Sequence, residues 1–382
     1  MVNHKLNWFL SIVCVGMLTA CGGGGGGGGG GATPQSVRPA GALARTGQIT
    51  SYATADDGAT QIGTAWPGTR FTVNNCGTPS DSSDDVIVDN LTGLMWQRNV
   101  DGTARTWQQS LDYANALSLC GFTDWRLANV VELESLLNAN ELGSTWLPAQ
   151  GFTVPQASFW SSTTLATHPD RAWNVDVFGD VNEFPKTSTA GAWAVRGPAA
   201  TGAVTLARSG QTTCYDAVGT VVACAGTGQD GDLQAGVAWP STRFVLNNCG
   251  TPADTTDDVI TDTLTGLVWS RQANMFGQRA WTGALSDADG LTLCGQSDWR
   301  LPNQRELRSL VNYEQGVIAN WLALQGFENV QGSNATPCYW TSTSAPFNST
   351  TRAVCVFLFE GTSPTSEQKT TAHNVWVVRG GM

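Results

Sequence analysis

Apolar positions along the chain fall into three regimes. From Leu6 to Ala20 they are nearly continuous, from Gly22 to Gly31 they give way to an unbroken glycine run, and from about Thr46 they return in short periodic clusters. Over Thr106 to Leu119, Trp107, Leu111, Ala114 and Leu117 recur along one helical face, and Thr106 with Gln109 forms a capping box. Asn129 with Glu132 makes the same box ahead of Leu133, Leu136 and Leu137, and Asn303 with Glu306 makes it ahead of Leu307, Leu310 and Val311. Two short helices are therefore expected in each half of the chain. Alternation predicts strands over Ala172 to Phe178, Trp193 to Val195, Ala353 to Phe359 and Val375 to Val378. With Gly, Pro, Ser and Thr filling long connections, the class is α+β, loop-rich, with small antiparallel sheets.

The two halves are copies. Asn74-Asn75-Cys76-Gly77-Thr78-Pro79 returns as Asn247-Asn248-Cys249-Gly250-Thr251-Pro252, Asp124-Trp125-Arg126-Leu127 as Asp298-Trp299-Arg300-Leu301, and Trp193 to Gly197 as Trp376 to Gly380. So long a period marks duplicated domains rather than a solenoid. We place them at 46–198 and 209–382, joined by a linker at 199–208. Seven tryptophans recur in register, as expected of framework residues that each fill a shaped space. Trp173 does not recur, since Val354 stands in its place, and it is the tryptophan expected to be exposed.

Cysteines follow the repeat. Cys76 and Cys120 return as Cys249 and Cys294, giving pairs Cys76–Cys120 and Cys249–Cys294. Cys338 and Cys355 are both missing from the first copy, as are Cys214 and Cys224, so Cys338–Cys355 and Cys214–Cys224 are the remaining expected bridges. Four disulfides require an oxidising, exported compartment.

Charge narrows the partners. Charged residues are 13% of the chain and the net charge is -11, a field that repels nucleic acid. No Ser-His-Asp order, nucleophile elbow or phosphate loop is present, so no catalytic residue is expected. At the N-terminus, Lys5 precedes an apolar stretch too short for a membrane helix, which ends Leu18-Thr19-Ala20-Cys21. This resembles the lipobox of bacterial lipoproteins. It implies a signal peptide over 1–20, lipidation of Cys21, and anchoring to the membrane, the outer one where two exist, with 21–45 as a flexible tether.

Leu-Thr-Gly-Leu-x-Trp, a Trp-led helix, Leu-Cys-Gly, Asp-Trp-Arg-Leu-Pro-Asn-x-x-Glu-Leu and a closing Val-Arg-Gly resemble the Lcl C-terminal domain family, named for a bacterial collagen-like surface adhesin. Asp298 to Asn303 with Glu306-Leu307 matches fully, whereas Ala128 stands where Pro is usual. The resemblance implies a C-type-lectin-like fold, also shared with formylglycine-generating enzymes, and surface binding of a glycan or a protein without catalysis. A structural envelope component, or a fold-related enzyme, are the alternatives. No collagen-like segment precedes the domains, so a trimer is not implied.

Three sets of residues are candidate sites. Asp81, Asp84, Asp85 and Asp89 return as Asp254, Asp257, Asp258 and Asp262, and such carboxylates can hold Ca²⁺ or simply brace a turn. Trp173, Asn174 and Asp176 resemble an interrupted lectin calcium-and-sugar triplet. Arg352 lies in one of the loops, His168 to Arg171 and Phe347 to Arg352, that differ between the copies and are expected to carry ligand specificity.

Overall fold

The computed structural model describes residues 39, 41–198, 201–333 and 337–381. The signal segment, Cys21, most of the tether, and linker residues 199 and 200 lie outside them.

Each repeat is built of two small sheets closed by its own ends. In the first, Phe71–Asn74, Val86–Asp89 and Met95–Gln97 form an antiparallel meander. The closing strand Ala194–Arg196 then inserts between Met95–Gln97 and Arg126–Leu127. The other sheet runs Val181–Pro185, Arg171–Asp176, Ser158–Thr164 and Gly191–Ala192. The second repeat reproduces this and adds a two-stranded pair, Cys214–Tyr215 with Val221–Val222, with Phe244–Asn247, Val259–Asp262, Val268–Ser270 and Val378–Arg379 in one of its main sheets. Tyr339–Ser344 and Arg352–Val356 lie at the heart of the other.

The capping boxes Thr106/Gln109, Asn129/Glu132 and Asn303/Glu306 all form, starting helices Trp107–Asn115, Val130–Ser135 and Gln304–Arg308. The expectation of two helices per repeat is short by two, one of them a single turn, Asp57–Thr60 in the first and Asp230–Leu233 in the second. Gly143–Ala149 and Ile318–Leu324 are also helical, without side-chain caps and, in the first, with Pro148 inside, so neither carries the usual start signal.

Of the fifteen tryptophans after Trp8, twelve are buried, confirming their framework role. Their indole N–H groups make matching bonds in both copies: Trp107 to the Ser161 carbonyl and Trp281 to that of Thr341, each at 2.8 Å. Trp173 is a correction. It is 1% exposed, because Tyr313 of the second repeat meets its ring edge-on with centroids 5.3 Å apart. A residue facing the partner repeat changes between copies for the same reason a surface residue does, and sequence alone cannot tell the two apart.

All four expected disulfides are present, Cys76–Cys120, Cys214–Cys224, Cys249–Cys294 and Cys338–Cys355.

The repeats form one compact unit rather than two independent beads. The opening segment of each repeat, its arm, crosses to the other copy. The single helical turn Asp57–Thr60 packs on Tyr339–Ser344, and Asp230–Leu233 packs on Ser158–Thr164. Gln48 exchanges bonds with the backbone N–H and carbonyl of Ser344, both at 3.0 Å, and Gln211 does the same with Thr164 at 2.8 Å. Asp57 accepts from Thr46 and Thr343, while Asp230 accepts from Thr163. A strand-like bridge between Val181 and Ser363 adds to the clasp.

Candidate functional site

The Asp-Trp-Arg signature turns out to be scaffold. Arg126 lies bidentate on the capping-box Glu132, and Arg300 on Glu306, with all four contacts at 2.6 Å. Asp124 pairs with the closing Arg196, and Asp298 with Arg379, each at 2.7 Å. The motif therefore ties the helix start to the closing strand beside it, chiefly through planar, two-point arginine–carboxylate contacts.

The aspartate turns do not converge. Asp89 and Asp262 are buried against Arg70 and Arg243, Asp85 and Asp258 bind Arg98 and Arg271, and Asp84 and Asp257 accept from Thr78 and Thr251. Asp81 and Asp254 accept from the second residue onward, which holds their carboxyls below the usual range. Among the described residues no three His, Cys, Asp or Glu side chains gather as a metal site, and of the two readings open for these aspartates the contacts favour turn bracing.

The lectin-like triplet is also dispersed. Asn174 sits opposite Trp160 in the sheet interior, where its amide has no hydrogen-bond partner among the described residues. Strand alternation places its neighbours Trp173 and Val175 on the opposite face. Asp176 accepts from the backbone of Phe178 and Asp180, and burial followed by repulsion from Asp180 raises its pKa to about 6. Arg352, in the other repeat, donates to the Ser366 carbonyl. These residues make no common site.

What the structure brings together lies at the seam. Helices Val130–Ser135 and Gln304–Arg308 occupy equivalent places in the two repeats and face each other. Equivalent positions carry Glu134 and Arg308, and they pair across the seam at 2.6 Å, joined by the Tyr313 hydroxyl at 3.1 Å. Arg305 reaches over to the carbonyls of Ser135 and Leu137, at 3.2 and 3.1 Å, satisfying the end of the opposite helix. Beside this network opens a mainly apolar cleft with about 100 Å³ of free interior, walled by Leu137, Val177, Phe178, Leu206, Val311 and Tyr313. Both repeats and the first arm contribute, so a single copy cannot form it. Three arginines, Arg208, Arg305 and Arg308, line it against two glutamates, Glu134 and Glu141, in a chain that is otherwise strongly acidic.

A second shared feature is a lysine in each copy. Lys186 lies with its amine 3.8 Å from the Trp107 ring centre, and Lys369 the same distance from Trp281. The arm from the other repeat closes over each, with Tyr215 at 5.8 Å from Lys186 and Tyr52 at 5.1 Å from Lys369. Burial lowers their pKa values to about 7 and about 8, against the opposing pull of Asp216 and Asp170 in the first case and Asp56 in the second. The signal was in the sequence: after Lys5 these are the only lysines, and they align.

Among the described residues no helix is long and apolar enough to cross a membrane. A family model described as the Lcl C-terminal domain matches residues 85–196 and again 258–379. The crossing arms precede each matched stretch. No curated protein matches the chain.

Proposed function

Since the chain belongs, through both repeats, to the Lcl C-terminal domain family, we propose that it is an exported, lipid-anchored envelope protein that binds a ligand without transforming it. The inter-repeat cleft is its binding site. The observation that carries this is the cleft itself: a concave, mostly apolar space with a few polar groups, at the junction of two domains, is where ligands are generally held. Of the ligand classes the sequence suggests, a sugar-stacking platform loses its main residues to burial, whereas an apolar ligand group finds walls ready for it. Membrane attachment through Cys21 rests on the lipobox, and the four disulfides accord with export. The C-type-lectin-like reading of each repeat is supported by closing strands that return beside the third strand of the opening meander.

The test uses the amphipathic dye anilinonaphthalene sulfonate on the mature chain. One saturable site is expected, and Gln304→Trp, which fills the cleft from a helix surface, should abolish it. Dye binding that is absent, or indifferent to that substitution, contradicts the reading.

A further inference from the structure

Three arginines face Glu134 and Glu141 in the cleft, an excess of one positive charge. Glu134 is taken up by Arg308 and Tyr313, and Arg208 donates to Gln234 and the Gly236 carbonyl. Arg305 spends Nη2 on the two helix-end carbonyls, and among the described residues it has no carboxylate within ion-pair distance and no acceptor on Nε or Nη1. Its first-repeat equivalent is Val131, so nothing in the fold of the module itself calls for a cation there. The side chain is partly exposed to the cleft, beside Leu137 and Val311.

We propose that the cleft takes a small amphipathic monoanion, a carboxylate on an aliphatic or single-ring body. The carboxylate lies on Nε and Nη1 of Arg305, and the body lies against Leu137, Val177 and Val311. A guanidinium edge offers two parallel N–H donors, which suits a carboxylate in two-point contact. The apolar walls reward the body, and the small interior limits its size. Burial, and then the neighbouring Arg70, lower the pKa of Arg305 to about 10 against the opposing pull of Glu134, Asp89 and Asp57, so it stays cationic at neutral pH. This rests on the cleft being the ligand site.

Calorimetric titration of the mature chain with the series butyrate to decanoate, and with 1-octanol, tests it. Saturable one-to-one binding that tightens with chain length up to the capacity of the cleft is expected, with octanol at least tenfold weaker than octanoate. Arg305→Gln should bring octanoate to the octanol level, and its thermal melt checks folding. Octanol binding as tightly as octanoate to the native chain overturns the anion assignment. If Gln304→Trp blocks both, the cleft reading survives that result. No saturable binding anywhere in the series overturns the inference, and loss of the dye site as well overturns the cleft.

Discussion

Replacing Glu134 by Gln should destabilise the whole chain by about 3 kcal/mol. The carboxylate meets Arg308 at two nitrogens and accepts from the Tyr313 hydroxyl at 3.1 Å, and the side chains of Arg308 and Glu134 are 3% and 17% exposed. Removing one charge of a buried pair costs about 3–5 kcal/mol, chiefly because the other is stranded. The lower end applies here, because Glu134 keeps some contact with water and the amide retains an acceptor. Spread over the unfolding entropy of the unit Arg38–Met382, that loss lowers the melting midpoint by about 4 °C. The assay is thermal and denaturant unfolding of the mature chain followed by tryptophan emission, with Arg308→Met and the double variant completing a cycle. A coupling of about 2 kcal/mol is expected, since partners in one network do not add independently. The partners belong to different repeats, so the shift should appear in one common transition. A midpoint change under about 1 °C, or a shift confined to one of two separate transitions, refutes the clasp.

Four further outcomes follow from the same contacts. Burial raises Asp57 and Asp230 to about 6, above their unfolded values, so the stability they contribute is full below about pH 4 and lost as pH rises through 6. Unfolding free energy should therefore climb from pH 7 to pH 5 by about 1 kcal/mol per aspartate, read as a rising melting temperature, and the Asp57→Asn/Asp230→Asn variant should flatten the climb; a fall over that window refutes it. Amine labelling read by mass spectrometry should spare Lys186 and Lys369 in the folded chain, with Tyr52→Ala speeding only Lys369 and Tyr215→Ala only Lys186; the opposite pattern would deny the crossed arms. Removing Cys76–Cys120 should cost about 4 kcal/mol and Cys214–Cys224 nearer 3, by loop size, as denaturant midpoints will show. Cys21→Ser should abolish incorporation of a labelled fatty acid and release the protein from membranes.

The single module was largely legible in the chain. Capping boxes, the register of tryptophans and the paired absences of cysteines are local or repeat-encoded, and each survived folding as read. What stayed hidden depends on the partner copy. Gln48 and Ser344 are ordinary polar residues until the arms cross, and Glu134 and Arg308 look like drift between copies until they meet. Trp173 was misread for that reason, and the two readings of the aspartate turns stayed open because the arginines that take up Asp85 and Asp258 could not be foreseen. The aligned lysines could have been found, since only their scarcity was needed to single them out.

Hydrogen exchange on the mature chain with and without saturating octanoate tests the central claim most directly. A ligand seated between the repeats predicts added protection on both walls at once, over 130–139 and 304–313. Protection at the divergent loops 168–171 and 347–352 instead, on one repeat alone, or nowhere, would contradict it.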